Sequence, residues 1–444
     1  MNTTAEATAG ASEIDLGVPD DTTRPAKREP WPRRYWDAVG IGMWIAVSRI
    51  VAGIFIAHMV IVLFPQSLLL SKLGTLSTGT WLHGFDRWDA RYYVTIAEHG
   101  YTTHQPDARA FFPGYPLVVR AAHSLTAGLF SYEQTGCLVS FIAFVLATAL
   151  LYRLVFERFG LRSALVSSAL FCWFPTSVFF LAPYSEAFFA LEILTVATLV
   201  DRRRWWWAAV VVGYASATSP EALVLVVALA AAALAAHRGL WRSIGYGLVG
   251  SLGMAAYVLY LGLRFKKPLD FIDVESNFHR VAIAPFVGVI ENIGAIPHAL
   301  IVHGSRFTVL PNLTAAALST NIAWMWIVDD VAMLLAVAAL IKLVVLAVRR
   351  GREPPLGRNP GVPTFWIVVL AGIVLIVSST VLRSKGSPVS TESAARLVSV
   401  AFPLYPGLYL LASRRQTVII VGLAFSITAA CLTQILFNLG YWVT

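Results

Sequence analysis

Between Trp81 and Arg120 the chain reads WLHGFDRWDARYYVTIAEHGYTTHQPDARAFFPGYPLVVR, which sets Asp86, Arg87, Asp89, Arg91, Glu98, His99, His104 and Asp107 among aromatic side chains. Such a mixture suits a loop folded onto a membrane surface, where a partly desolvated carboxylate can take a proton from a hydroxyl. Asp89 is the first candidate for that general base and Asp86 the second. The same acids, with Arg87 and Arg91 beside them, would also serve as a surface ion-pair cluster of little energetic weight. Tyr184-Ser185-Glu186 and Ser219-Pro220-Glu221 each stand between apolar runs, where a carboxylate is costly unless partnered. Both triplets fit a polar pocket. They also fit helix starts, with a hydroxyl as cap and an acid near the positive helix end.

Arg280, Arg396 and Arg91 carry the planar fork that matches phosphate oxygens; interfacial snorkelling is the plainer account of each. Asp270, Asp273, Glu275, His279 and Arg280 cluster together, with His298 and His303 further on. They lack the tight spacing of metal ligands, so no metal is expected. Arg49 lies inside an apolar run and must reach a carboxylate, a lipid phosphate or an internal polar partner.

The elements that must position these groups are membrane helices. The chain has 444 residues, 57% of them hydrophobic and 13% charged, with mean hydropathy +0.68; soluble proteins carry about 25% charged residues. Apolar runs suited to a ~30 Å hydrocarbon core recur along it, near 40–64, 134–156, 163–181, 184–200, 205–218, 221–237, 243–263, 322–348, 363–382, 396–412 and 416–437. The expected fold is an all-α, polytopic transmembrane helical bundle of about eleven spans. Net charge +9 does not imply nucleic acid, because Lys and Arg sit in short clusters between the spans, which is how topology is encoded. Cys137, Cys172 and Cys431 fall inside apolar runs and read as small hydrophobes. Gly245 to Gly250 spells G-x-G-x-x-G with no strand before it, so close helix packing explains it better than a dinucleotide. Trp205 to Trp207 read as an interfacial aromatic belt.

Residues 1–39 are polar without an apolar h-region, and are expected to be a disordered cytoplasmic tail rather than a secretory signal. Residues 40–444 then form one transmembrane domain. With the N-terminus cytoplasmic, the basic connections lie inside. The acids and hydroxyls fall outside, in a large first extracytoplasmic loop over 65–133, a second over 264–321, and the connections at Glu186, Glu221 and Arg396. Phe111 to Phe130 reads as an interfacial helix rather than a span. An extracytoplasmic active site in a plasma-membrane protein follows from this asymmetry.

WDARYYVTIAEHGY followed by AFFPGYPLVVR resembles the first luminal loop of the PIG-V family of GPI mannosyltransferases, in its bacterial branch. The likeness continues in Cys172 to Leu191 (CWFPTSVFFLAPYSEAFFAL), which is similar to the family's P-x-S-x-F-F-x-x-x-Y-S-E stretch. It is weaker in Ala215 to Leu223 (ASATSPEAL) and in Glu392 to Tyr405 (ESAARLVSVAFPLY). The chain departs from the pattern at Ser219-Pro220-Glu221, where an Arg-rich or Asn-containing stretch is usual, and at Arg396-Leu397, where Arg-Tyr is usual.

The resemblance implies a GT-C-like glycosyltransferase that takes a mannosyl residue from polyprenyl-phosphate-mannose, with inversion, and delivers it to a glycolipid or lipid-linked acceptor of the cell envelope. Asp89 would be its general base. Arg280, Arg396 and Arg91 would face the carrier phosphate, and Tyr184, Ser185, Glu186 and Glu221 would line the pocket. No cofactor is implied, and the partners are donor, acceptor and membrane lipids. A transporter or flippase of a polyprenyl-linked or amphipathic solute is the alternative. It would favour inverted repeats and mid-membrane ionisable groups, and the sequence offers no convincing repeat. An inactive family member that scaffolds an envelope complex is the third.

Overall fold

Gly160 has φ +80° and ψ −178°, a backbone conformation open to glycine alone, and it breaks the longest helix of the protein. In the computed structural model this helix, α4 (Tyr132–Cys172, 41 residues), is the axis of the bundle. Its break falls in the gap between the two apolar runs expected at 134–156 and 163–181. It opens with a reciprocal cap: the Ser131 hydroxyl accepts from the Gln134 amide, and the Gln134 side chain accepts from the Ser131 amide. The structure describes residues 31–63, 82, 84–278, 280–294, 322–348, 356, 359–382 and 393–440, with side chains from 39 in the first stretch and from 325 in the stretch 322–348.

The first helix is α1 (Trp31–Leu63), followed by α2 (Ala90–His99) and α3 (Gly114–Leu125) in the long loop before α4. After it come α5 (Glu186–Asp201), α6 (Trp205–Ala215), α7 (Ala222–Ala235), α8 (Leu240–Gly250), α9 (Leu252–Phe265) and the short α10 (Asp270–Glu275). The chain closes with α11 (Ile322–Val348), α12 (Gly361–Ser378), α13 (Ala394–Ser399), α14 (Leu404–Ala412) and α15 (Gln416–Asn438). The fold is thus an all-α bundle with one small addition, a three-residue antiparallel pair of Arg280–Ala282 with Thr380–Leu382. That pair ties the Arg280 loop to the end of α12.

Among the described residues, α1, α4, α11, α12 and α15 are long and apolar enough to cross a membrane, and α8 with α9, bent by 44°, makes a sixth. The protein is therefore an integral membrane protein. Helices α6 and α7 have 11 and 14 residues, about 17 and 21 Å at 1.5 Å per residue, short of a ~30 Å core. The run expected at 396–412 is divided into α13 and α14 at Pro403. Helix α1 begins at Trp31, inside the segment expected to be a disordered tail; residues 1–30 lie outside the described residues. So do His279, His298, His303 and Glu392. The 12-residue α3 falls within the stretch expected to form an interfacial helix and spans only about 18 Å.

Helix α4 packs against α1, α3, α5, α14 and α15, while α6, α7 and α8 pack on one another beside α12. The glycines of the G-x-G-x-x-G run lie in α8 at that contact, where a side chain at Gly250 would meet Val212 and Val226. Arg49 of α1 is fully buried. It donates to Ser177 Oγ at 3.2 Å and Gln434 Oε1 at 2.7 Å, with its guanidinium 4.9 Å from the Trp173 ring. Its partners are thus neutral groups of the bundle.

A second buried charge fastens the first loop. Arg109, in the 3-10 turn Pro106–Ala110, pairs with Asp270 at the start of α10 and lies 4.0 Å over the Phe265 ring. Tyr257 of α9 donates to the Arg109 carbonyl at 2.8 Å. Asp270→Ala strips a buried guanidinium of its counter-ion, so a loss of about 3–5 kcal/mol is expected. A lowered thermal midpoint of the detergent-solubilised variant checks it.

Candidate active site

Four helices begin around one cavity, and the residue preceding each has a polar side chain that does not cap it. Asp89 precedes α2, Ser185 precedes α5, Glu221 precedes α7 and Ser393 precedes α13. None of the four makes a side-chain cap bond, and all four line a cavity of about 420 Å³. Ser185 and Glu221 thus stand at helix starts without capping them, and both line the cavity. Helix starts carry partial positive charge, so the same arrangement offsets part of the acidity of this wall.

Asp89 is held by its backbone. The Tyr184 hydroxyl accepts from the Asp89 amide at 3.1 Å and donates to the Arg87 carbonyl at 2.9 Å. Trp88, between them, has φ +53°, a left-handed conformation uncommon for a large side chain. One helical turn after Asp89, the Tyr93 hydroxyl meets Ser185 Oγ at 2.8 Å. The Tyr115 hydroxyl donates to the Gly136 carbonyl at 2.8 Å and lies 2.9 Å from Ser140 Oγ. The loop is thereby built into the bundle through tyrosine hydroxyls, each of which finds a partner, as buried polar groups must.

Arg396 joins the pieces. Its Nη1 donates to Asp89 Oδ2 at 2.8 Å and its Nε donates to Glu186 Oε1. Its guanidinium carbon sits 4.7 Å from the Tyr184 ring centre and 4.9 Å from that of Phe179. One planar cation therefore fixes two carboxylates from two different helix starts, with rings beneath it. Asp89 keeps 13% side-chain exposure and faces the cavity. Glu186 Oε2 is buried and takes no hydrogen bond among the described residues.

Across the cavity Arg280 pairs with Glu275 at 2.9 Å. Burial chiefly pushes the Glu275 carboxyl up from its ordinary pKa; Arg280 opposes this, and the charges of Glu221 and Asp89 add to it. Glu221 accepts from Ser219 Oγ. Phe111, Phe112, Phe189 and Phe278 supply the apolar part of the lining.

Of the residues singled out in the sequence, Asp89, Ser185, Glu186, Glu221, Arg280 and Arg396 line this cavity, and Tyr184 lies directly behind Asp89. Asp86 and Arg91 are not on its wall. Asp86 is displaced because the chain turns at Trp88: its carboxylate is mostly desolvated, and Oδ1 has no hydrogen bond among the described residues. Burial first, then the Glu133 charge, pushes its pKa up to about 6, against the pull of Arg91 and Arg87. Sequence reasoning did not find Tyr93, Phe278 or Ser393, and named Glu275 only within the cluster around Arg280 weighed for a metal. Tyr93 alone had a readable signal, four residues after Asp89 on a helix and so on the same face. Among the described residues no three His, Cys, Asp or Glu side chains converge as a metal cage.

Residues 46–239 match the family model described as Mannosyltransferase (PIG-V). The family resemblance read from the sequence is thus matched over somewhat less than half of the chain. The PIG-V match contains Asp89, Tyr184, Ser185, Glu186 and Glu221, while Arg280 and Arg396 lie beyond it. Over 131 residues the chain is 37% identical to GPI alpha-1,6-mannosyltransferase 2 of Cricetulus griseus, covering 27% of this chain and 26% of that protein. The protein of the same name from Homo sapiens is 34% identical over 131 residues, with the same coverage. The match thus spans about a quarter of the length of these curated PIG-V relatives. Among solved structures, the apo form of the Archaeoglobus fulgidus oligosaccharyltransferase gives a TM-score of 0.45 at 13% identity, covering 93% of this chain and 57% of that one. ArnT from Cupriavidus metallidurans bound to undecaprenyl phosphate gives 0.36 at 15% identity, covering 86% and 78%.

Asp86 makes the protein sensitive to pH apart from any chemistry. A carboxyl whose folded pKa is raised favours folding below its ordinary value of 3.8, and this contribution is lost as pH rises through about 6. Asp86→Asn should therefore have a higher thermal midpoint than wild type at pH 7.5. The gap should close as the pH falls to 4. Midpoints measured at the two pH values check it.

Proposed function

We propose that the protein is a membrane mannosyltransferase. It would move a mannosyl residue from polyprenyl-phosphate-mannose to a hydroxyl of a glycolipid or lipid-linked acceptor, with inversion at the anomeric carbon. The observation that carries this reading is the clamp of Arg396 on Asp89 and Glu186 at the cavity wall, in a chain whose residues 46–239 match the Mannosyltransferase (PIG-V) family model.

In the proposed reaction the acceptor hydroxyl attacks the anomeric carbon on the face opposite the phosphate, forming the new C–O bond as the C–O bond to phosphate breaks. Asp89 takes the hydroxyl proton on Oδ1, the oxygen that Arg396 does not engage. A general base of this kind contributes about 10²–10⁴-fold to the rate. The leaving group is a phosphate ester of low basicity, so it departs without a proton and requires positive charge instead. Arg280, on the opposite wall, is the cation for that task. Arg396 is engaged through Nε and Nη1 with two carboxylates, so its part is to hold Asp89 in place. Glu186 Oε2, Ser185 and Glu221 supply acceptors for sugar hydroxyls, with Tyr184 holding the loop behind them. The cavity would open to the extracytoplasmic side of the plasma membrane, where a lipid carrier can enter sideways.

Labelled polyprenyl-phosphate-mannose incubated with membranes carrying wild type or Asp89→Asn tests the reading. Wild type should form labelled glycolipid, and the variant should lose roughly 10²-fold or more of that rate. Equal transfer by both would remove Asp89 from the reaction. Movement of solute into vesicles with no glycosyl transfer would favour a transporter.

A further inference from the structure

Arg396 sits on α13, a helix of six residues. A helix this short gains too few hydrogen bonds to offset its own nucleation, so its placement must come from outside. Ser393, at its start, has φ +62° and makes no cap bond; its hydroxyl is buried, faces the cavity and bonds nothing among the described residues. The cap is supplied from another span. Asp329 of α11, 1% exposed, accepts the Ala395 amide proton through Oδ1 at 2.7 Å, across 66 residues of sequence.

Helix α11 is apolar apart from Asp329, the neighbouring Asp330 and Lys342, and packs on α12, α13 and α14. A carboxylate within such a helix is costly unless it does something specific. Here it makes a charge-assisted bond, shorter and stronger than a neutral one, to the amide one residue before Arg396.

We propose that Asp329 is a positioning residue that anchors α13 to the transmembrane frame and so sets Arg396 against Asp89 and Glu186. It touches no reacting atom and acts through Arg396. The kinetic consequence rests on the mannosyltransferase reading; the structural one does not.

The test uses the full chain in lipid nanodiscs, as wild type, Asp329→Asn and Asp329→Leu, each taken as a single folded species by size exclusion. Asn retains a carbonyl oxygen for the Ala395 amide, and Leu removes the acceptor without leaving a buried charge. Hydrogen exchange of the 393–400 segment should be roughly tenfold faster in the Leu variant and unchanged in the Asn variant, since local opening reports the lost bond. With labelled polyprenyl-phosphate-mannose, the Leu variant should lose roughly 10²-fold in kcat, the scale of a 1 Å misplacement, with donor KM little changed. The Asn variant should stay close to wild type on both measures. Exchange unaltered by Leu, a wild-type kcat in the Leu variant, or Asn as damaging as Leu would each overturn the inference. Absence of mannosyl transfer from wild type would overturn the functional reading instead, and the exchange result would then decide the anchoring alone.

Discussion

A guanidinium buried among apolar helices needs partners for its donors; those of Arg49 are neutral, whereas Arg396 has two carboxylates. Removing either carboxylate would leave the buried charges unbalanced, which is far more costly than losing a surface pair. The clamp therefore constrains three segments at once: the turn at Asp89, the start of α5 at Glu186 and the short helix α13. None of the three can shift without disturbing the other two. The cavity is the space left between helix starts that this cation holds at fixed distances.

The loop before α4 is built around that constraint. It carries enough charge to be a solvated connection, yet Phe85, Tyr93, Phe112 and Tyr115 are buried. Phe111 stacks on Tyr92 at 4.6 Å between ring centres, and Arg109 pairs with Asp270. Aromatic side chains give the loop apolar area to bury, and their hydroxyls satisfy backbone groups that a loop leaves open. A loop with fewer rings could not keep Asp89 still enough to meet Arg396. The chemistry-bearing segment is in effect part of the core, and this is why its backbone can carry a left-handed Trp88.

The long apolar runs were legible because a membrane imposes one length and one composition on whatever crosses it. The break of α4 was legible too, since polar Arg158 and Arg162 flank Gly160. The charged part of the cavity lining could be named because polar groups between apolar runs are rare enough to stand out. The Arg396–Asp89 contact could not be read: its partners are 307 residues apart, and nothing in local spacing encodes a tertiary pairing. Separate tasks were therefore expected of two residues that the fold joins. The position of Asp86 was hidden for a related reason. Two acids three residues apart look equivalent on paper, and only the turn at Trp88 sends one to the cavity and the other into the protein. The strand pair at Arg280 is too short for any periodic signal.

The charges on the cavity wall are not evenly spread, and their layout bears on how a donor would lie. Asp89, Glu186, Glu221 and Glu275 are on the wall with only Arg280 and Arg396 to balance them. Arg396 is engaged by Asp89 and Glu186, whereas Arg280 is paired with Glu275, so the acid-to-cation ratio on the wall is lower toward Arg280. A phosphate is repelled by the Asp89 side and favoured near Arg280, whereas an anomeric carbon gaining positive charge in the transition state is stabilised by the acidic side. The field thus supports one orientation of the proposed donor, phosphate toward Arg280 and sugar toward Asp89. That orientation presents to Asp89 the face from which an acceptor must attack for inversion. The same field would disfavour the reversed pose at both ends. An acidic pocket is in this way compatible with an anionic donor, provided that the phosphate and the reacting carbon lie against different parts of the wall.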